Sequence, residues 1–152
     1  MKGQTTMLTV ETISKEEKQK NIKRIEFHLK NYTNYKVAIV NLKKKLELLN
    51  TLFLNIEVSR RVEGENSETC MDNERNRIEL ELQQYAFIIE AIDNALENIE
   101  EIERDFIIYR YFYNWTIDKC ALKIGYSDKT LFLIRNQVIK KFLISLGCIT
   151  II

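Results

Sequence analysis

Two runs of apolar residues, spaced alternately three and four apart, decide what this chain can fold into. The first passes through Ile22, Ile25, Leu29, Tyr32, Tyr35, Ile39, Leu42, Leu46, Leu49, Phe53 and Ile56. The second passes through Ile78, Leu82, Tyr85, Ile89, Ile92, Leu96 and Ile99. A helix brings residues three and four apart onto one face, whereas a half-buried strand needs strict alternation, so both runs are long amphipathic helices. Strong helix breakers are scarce: the 152 residues include no proline and only 4 glycines. The expected fold class is all-α.

Local signals set the boundaries. Ser14, with Glu17 three residues on, has the pattern of an N-cap with its capping box, so residues 1–14 read as a flexible N-terminal tail and the first helix as 15–57. Within that helix, Asn31-Tyr32-Thr33-Asn34 predicts a kink or a separate short first helix, because two three-residue steps fall together there and Asn and Thr are poor helix formers. Residues 58–72 contain Gly64, Asn66 and Ser67 with little apolar content and predict a loop. The second helix is expected at 73–101, with a change of register near Glu100–Glu103, where Ile102 follows Ile99 by three residues instead of four. Two long seams and one loop make an antiparallel helical hairpin over 15–103, a region for assembly or partner binding. Such a hairpin has little interior of its own, and the alternative is that either seam pairs across a homodimer through the long helices.

The remaining residues, 104–152, carry a different pattern. Asp105–Asn114 is dense in aromatic residues, which are expected to line the core of a small helical domain that Trp115 closes. Ile117, Cys120, Ala121 and Ile124 then mark one short amphipathic helix, and Leu131, Ile134, Val138 and Phe142 mark another. Between them Gly125 suits a left-handed helix end and Ser127 suits an N-cap, with Asp128 placed favourably for the helix dipole. Ala121 is small enough for the helices to cross closely, and Leu131 is the apolar plug that locks them. These features predict a helix-turn-helix whose second helix lies in the DNA major groove. With the apolar stripe inward, Asp128, Lys129, Phe132, Arg135, Asn136 and Lys140 are expected to point outward. Arg and Asn are the side chains that read guanine and adenine edges, and Lys holds phosphate.

The net charge of +1 hides a strong asymmetry: residues 1–57 carry +5, residues 58–105 carry −9 and residues 106–152 carry +5. The basic final third coincides with the helix-turn-helix, as phosphate binding requires. The acidic middle is expected to face away from DNA. After the last helix, Gly147 is expected to cap its C-terminus, and the apolar residues 148–152 are expected either to dock back on the domain or to pair with another chain.

Other classes find no support in the sequence. The one histidine, His28, has no catalytic or metal-ligating spacing around it and is expected to be structural or exposed, and no glycine-rich phosphate loop occurs. Cys70, Cys120 and Cys148 are odd in number and far apart, which supports neither a disulfide framework nor a zinc site. No catalytic residue, cofactor site or metal site is therefore expected. The chain has no run of 18 apolar residues and no signal-like N-terminus, and the expectation is a cytoplasmic protein without membrane contact.

From Arg104 to Leu146 the sequence resembles the phage and prophage late-gene transcriptional regulators of the ArpU and RinA type, which are in turn similar to region four of bacterial sigma factors. The matching features are Tyr109 to Tyr111, Trp115-Thr116 at the start of the first motif helix, the turn Leu122-x-x-Gly125-Tyr126-Ser127, and Thr130 to Arg135. The long helices ahead of them match only in outline. The resemblance implies a DNA-binding activator of late phage genes in a bacterial host cell, with recognition over Ser127 to Asn136, so that Tyr126, Ser127 and Thr130 join the candidate DNA-binding residues. Cys120 and Leu133 make this segment more apolar than the family pattern.

The function expected is a sequence-specific regulator of transcription that binds double-stranded DNA. The alternatives are a helical protein-interaction module, whose C-terminal corner is only structural, and a sigma-like factor that acts only with RNA polymerase.

Overall fold

Helix formation follows the apolar spacing, with breaks only where a side chain or the backbone turns away. The computed structural model describes the backbone of residues 2–60 and 68–152 and the side chains of residues 14–57 and 70–152. Its α-helices are α1 (Lys2–Lys30), α2 (Tyr32–Arg60), α3 (Glu68–Glu97), α4 (Glu101–Ile107), α5 (Ile117–Ile124) and α6 (Asp128–Ser145). A π-helical segment spans Ile108–Phe112 and a 3-10 turn spans Gly147–Ile149. The protein is all-α, with no strand among the described residues.

Three boundaries differ from the sequence reading. First, α1 begins at Lys2, so residues 2–14 are helical rather than a tail, and Ser14 lies inside the helix, where its backbone amide needs no cap. Second, the break at Asn31 separates two long helices rather than a short one from a long one. The Asn31 amide reaches the carbonyls of both Phe27 (3.1 Å) and His28 (3.2 Å), while Asn31 Nδ2 donates to the Phe27 carbonyl at 2.9 Å. Third, residues 58–60 belong to α2 and 68–72 to α3; the rest of the expected loop, 61–67, lies outside the described residues. The register change expected near Glu100–Glu103 falls between α3 and α4.

The chain divides into two compact units, one formed by Met1–Tyr32 with Glu90–Ile152 and the other by Thr33–Ile89. The boundary expected at 103/104 is thus corrected: α1 packs on α6 and on the π segment and belongs with the C-terminal helices. The reason is one of core volume. Ile25 and Leu29 of α1 are fully buried together with Phe106, Ile107, Leu131, Val138 and Phe142, a cluster too large for a 49-residue helical unit to enclose unaided. The end of the chain completes this core. Leu146 and Ile149 are buried, and Arg24 Nη1 donates to the Thr150 carbonyl at 2.8 Å, so the segment docks back on α1. Gly147 opens the 3-10 turn, and the C-cap is Leu146, whose amide donates to Phe142 at 2.7 Å.

The second unit has less interior. Its two helices run antiparallel: Tyr35 stacks on Tyr85 with ring centroids 5.3 Å apart, Lys45 Nζ meets Glu74 at 2.6 Å, and the Arg75 guanidinium lies 5.0 Å from the centre of the Phe53 ring. The hydrogen bond from Lys45 holds the Glu74 carboxyl below its ordinary range. None of residues 33–57 is buried, and of residues 70–89 only Ile78 and Ile88 are.

A candidate nucleic-acid interface on the helix-turn-helix

The turn between α5 and α6 is built from local chemistry. Thr116 caps α5, its hydroxyl accepting the Lys119 amide at 3.3 Å. At the other end Gly125 takes φ 88°, the left-handed conformation that closes the helix, and its amide donates to Ala121 at 2.8 Å. Ser127 then caps α6: Oγ accepts the Thr130 amide at 3.2 Å and lies 2.9 Å from Thr130 Oγ1. Leu131 is fully buried and Ala121 nearly so, and α5 packs against α6.

Behind the turn, α4 and the π segment fix the orientation of α6. Glu103 is buried; its Oε1 accepts the Glu100 amide at 3.1 Å and the Lys141 ammonium at 2.5 Å, tying α4 to α6. In the π segment the Tyr113 amide bonds back five residues, to Ile108, at 2.9 Å. Phe106, Ile107 and Tyr111 enter the core, but Tyr113 is exposed and Tyr109 only half-buried. Trp115 does not close the core. Its ring lies half-buried on Tyr109, 4.9 Å away and nearly parallel, with Lys119 Nζ 4.1 Å from its centre. The indole is sheltered by a tyrosine and a cation outside the packed interior.

The stripe Leu131, Ile134, Val138, Ile139 and Phe142 is buried, which leaves one side of α6 open. Five of the nine expected DNA-binding residues lie on the open side or at its edge: Tyr126, Lys129, Phe132, Asn136 and Lys140 are all exposed. Among the described residues, Lys129 and Lys140 form no ion pair. The other four are engaged elsewhere. Ser127 and Thr130 are occupied with each other in the cap. Asp128 lies beside Asp118, whose hydrogen bond and negative charge raise its carboxyl pKa, so two acidic groups meet at the mouth of the groove lined by Ala121, Leu122, Gly125 and Tyr126.

Arg135 is the main correction. It does not point outward; its guanidinium turns toward α1 and pairs with Glu26, beside Tyr111. Only 30% of its side chain is exposed. The physical reason lies in its spacing: Leu131, Arg135, Val138 and Phe142 form one four-three-four row, so Arg135 sits within the buried stripe. Its charge is tolerated there because Glu26 supplies the counter-charge. Tyr111, buried between them, has its hydroxyl pKa pushed up to about 12, first by burial and then by the Glu26 carboxylate.

Three open residues escaped the sequence reading. Leu133 and Gln137, four residues apart, lie on the same side of α6 as Asn136 and Lys140, and Leu122 projects from α5 with 86% exposure. Once Arg135 is phased inward, the helical period places Leu133 and Gln137 at the centre of the open face.

Among the described residues no three His, Cys, Asp or Glu side chains converge as metal ligands, and no helix is long and apolar enough to cross a membrane. Cys120 is buried, Cys70 and Cys148 are exposed, and all three are free thiols. No known family model, curated protein or solved structure matches the chain, so the reading of this surface rests on its own residues.

Proposed function

We propose that the first unit is a sequence-specific double-stranded DNA-binding module of a transcriptional regulator, with the open face of α6 entering the major groove. One observation carries this reading. A capped helix-turn-helix presents Lys129, Asn136, Gln137 and Lys140 along one exposed helix face, with the lysine ammoniums unpaired among the described residues and the apolar stripe wholly engaged behind them. Asn and Gln match adenine edges, and the two lysines match phosphates. The resemblance to late-gene regulators of the ArpU and RinA type supports activation of late phage or prophage genes in a bacterial cytoplasm. Base recognition by Arg135 is not part of this proposal.

The test is selection of purified protein on random duplex DNA, read at two salt concentrations. The expected result is an enriched motif that Asn136→Ala relaxes at a single base pair, at a cost of about 1–3 kcal/mol. Lys140→Ala should weaken all sequences alike and lower the salt slope by about one. Binding without any motif, unaffected by Asn136→Ala, would overturn the reading. A second reading, a sigma-like contact with RNA polymerase, is favoured by the apolar side chains Leu122, Phe132 and Leu133 exposed next to the polar row. It predicts a motif only when polymerase is present.

A further inference from the structure

One apolar side chain stands where the open face of α6 is otherwise polar. Leu133, in the second turn of the helix, is 57% exposed. Its neighbours three and four residues away are Thr130 and Lys129 on the N-terminal side and Asn136 and Gln137 on the C-terminal side, all polar and none buried. Phe132 is also exposed, but one residue is about 100° of helical turn, so its ring lies on a different flank. Leu133 is thus a single apolar group enclosed by polar ones on its own helix face.

The chemistry of base edges says what such a group can meet. In the major groove guanine offers N7 and O6, cytosine its N4 amine, and adenine N7 with its N6 amine, whereas thymine alone adds an apolar surface, the C5 methyl. A leucine laid on a polar edge shuts out water without replacing its hydrogen bond, which costs binding energy. Laid on the methyl, it removes apolar surface from water on both sides. The position along the helix agrees. In a docked helix-turn-helix the N-terminal part of the second helix meets the base edges, and Leu133 lies nearer that end than Asn136, Gln137 or Lys140. The rest of the face favours A·T pairs as well. Asn136 and Gln137, one turn on, match adenine, while Arg135, the one arginine of α6 and a residue type suited to guanine, turns away to Glu26.

We propose that Leu133 is a specificity-determining residue that reads thymine through its C5 methyl group, with Asn136 and Gln137 reading adenine beside it, so that A·T pairs dominate the bases under α6. The assignment rests on the DNA reading of α6 and adds to it the base and the atom that Leu133 recognises.

The experiment uses the full chain and the duplex enriched by selection, with each thymine replaced in turn by uracil, which keeps the pairing and the phosphates and lacks only the methyl. Binding is followed by fluorescence anisotropy. With the wild type, replacement at the thymine under Leu133 should raise the dissociation constant about fourfold, the worth of one buried methyl group. Leu133→Ser should weaken binding to the thymine duplex by a similar factor and lose no more on uracil, so that the thymine-to-uracil ratio at that position falls to about one. Asn136→Ala should keep that ratio while relaxing a different base pair. Leu133 is exposed, and circular dichroism checks that its variant keeps the helix content. A motif that Asn136→Ala relaxes, with every uracil duplex bound as tightly as its parent, would overturn this inference and leave the DNA reading standing. A uracil effect that Leu133→Ser leaves unchanged would give the methyl contact to another side chain and also overturn it. The absence of any motif would remove the DNA reading, and this inference with it.

Discussion

Replacing Arg135 with alanine separates the two roles that its position allows. In the structure the guanidinium pairs with Glu26 of α1, and the paired side chains are 30% and 22% exposed. An exposed pair is worth about 0–1 kcal/mol, and breaking a fully buried one costs about 3–5 kcal/mol because the remaining charge is stranded. Arg135→Ala at this intermediate depth should therefore cost about 2 kcal/mol. With a urea slope of about 2 kcal/mol/M the unfolding midpoint should fall by about 1 M. Glu26→Gln should cost less, since it leaves a neutral amide facing Arg135, and the double variant should be only slightly worse than Arg135→Ala alone. The double-mutant cycle should show about 1–2 kcal/mol of coupling. Circular dichroism at 222 nm during urea titration gives these values, and titration of labelled duplex at a denaturant-free, fully folded temperature gives the DNA side. A midpoint shift below about 0.2 M, together with relaxed preference at one base pair, would refute the structural role and return Arg135 to the recognition face.

Other outcomes follow from the same geometry. Gly125→Ala should destabilise by about 1–2 kcal/mol: no atom stands in the way of a Cβ, so the cost is that of holding φ 88° with a side chain, and Gly125→Asn should recover part of it in the same urea assay. His28 is buried, and burial lowers its pKa, partly opposed by its bond to the Ile149 backbone. The folded state thus holds it neutral while the unfolded chain takes up a proton near pH 6.5, so stability should be level above about pH 6.5 and decline as the pH falls toward the lower folded-state pKa. Comparing urea midpoints at pH 7.5 and 5.5 should show a smaller decline in His28→Gln than in wild type; equal declines would contradict this assignment. Asp118→Asn removes one of two adjoining carboxylates at the groove mouth and should tighten DNA binding by about twofold at low salt, an effect that fades as salt rises.

The turn between α5 and α6 was legible because every signal in it is local. Glycine at the left-handed position, serine at the cap and the apolar rows of α5 and α6 each act within a few residues, and the sequence displays them directly. Depth was not legible. Ile25, Leu29 and Tyr32 have the same spacing as Leu42, Leu46 and Leu49, yet the first group is buried and the second only half-covered. Periodicity reports which way a face points, not how much packs against it, so the assignment of α1 to the C-terminal unit was out of reach. Arg135 shows the complementary limit. A charge in an apolar row reads as solvent-facing unless its partner is known, and Glu26 lies 109 residues away. The outward lysines and Asn136 needed no distant partner, and for them the helical phase was enough.

The docking of the final turn on α1 also imposes an order on synthesis. Arg24 waits for Thr150, 126 residues later, whereas Lys45 and Glu74 are only 29 apart. For a flexible chain the longer closure costs about 1 kcal/mol more, and during translation it is delayed until the segment after α6 has left the ribosome. The α2–α3 pair is therefore expected to close first, while α1 remains without its core. In the interval Ile25 and Leu29 are open to a chaperone or to another nascent chain, and the first unit, proposed above to bind DNA, is completed only after α2 and α3 have formed.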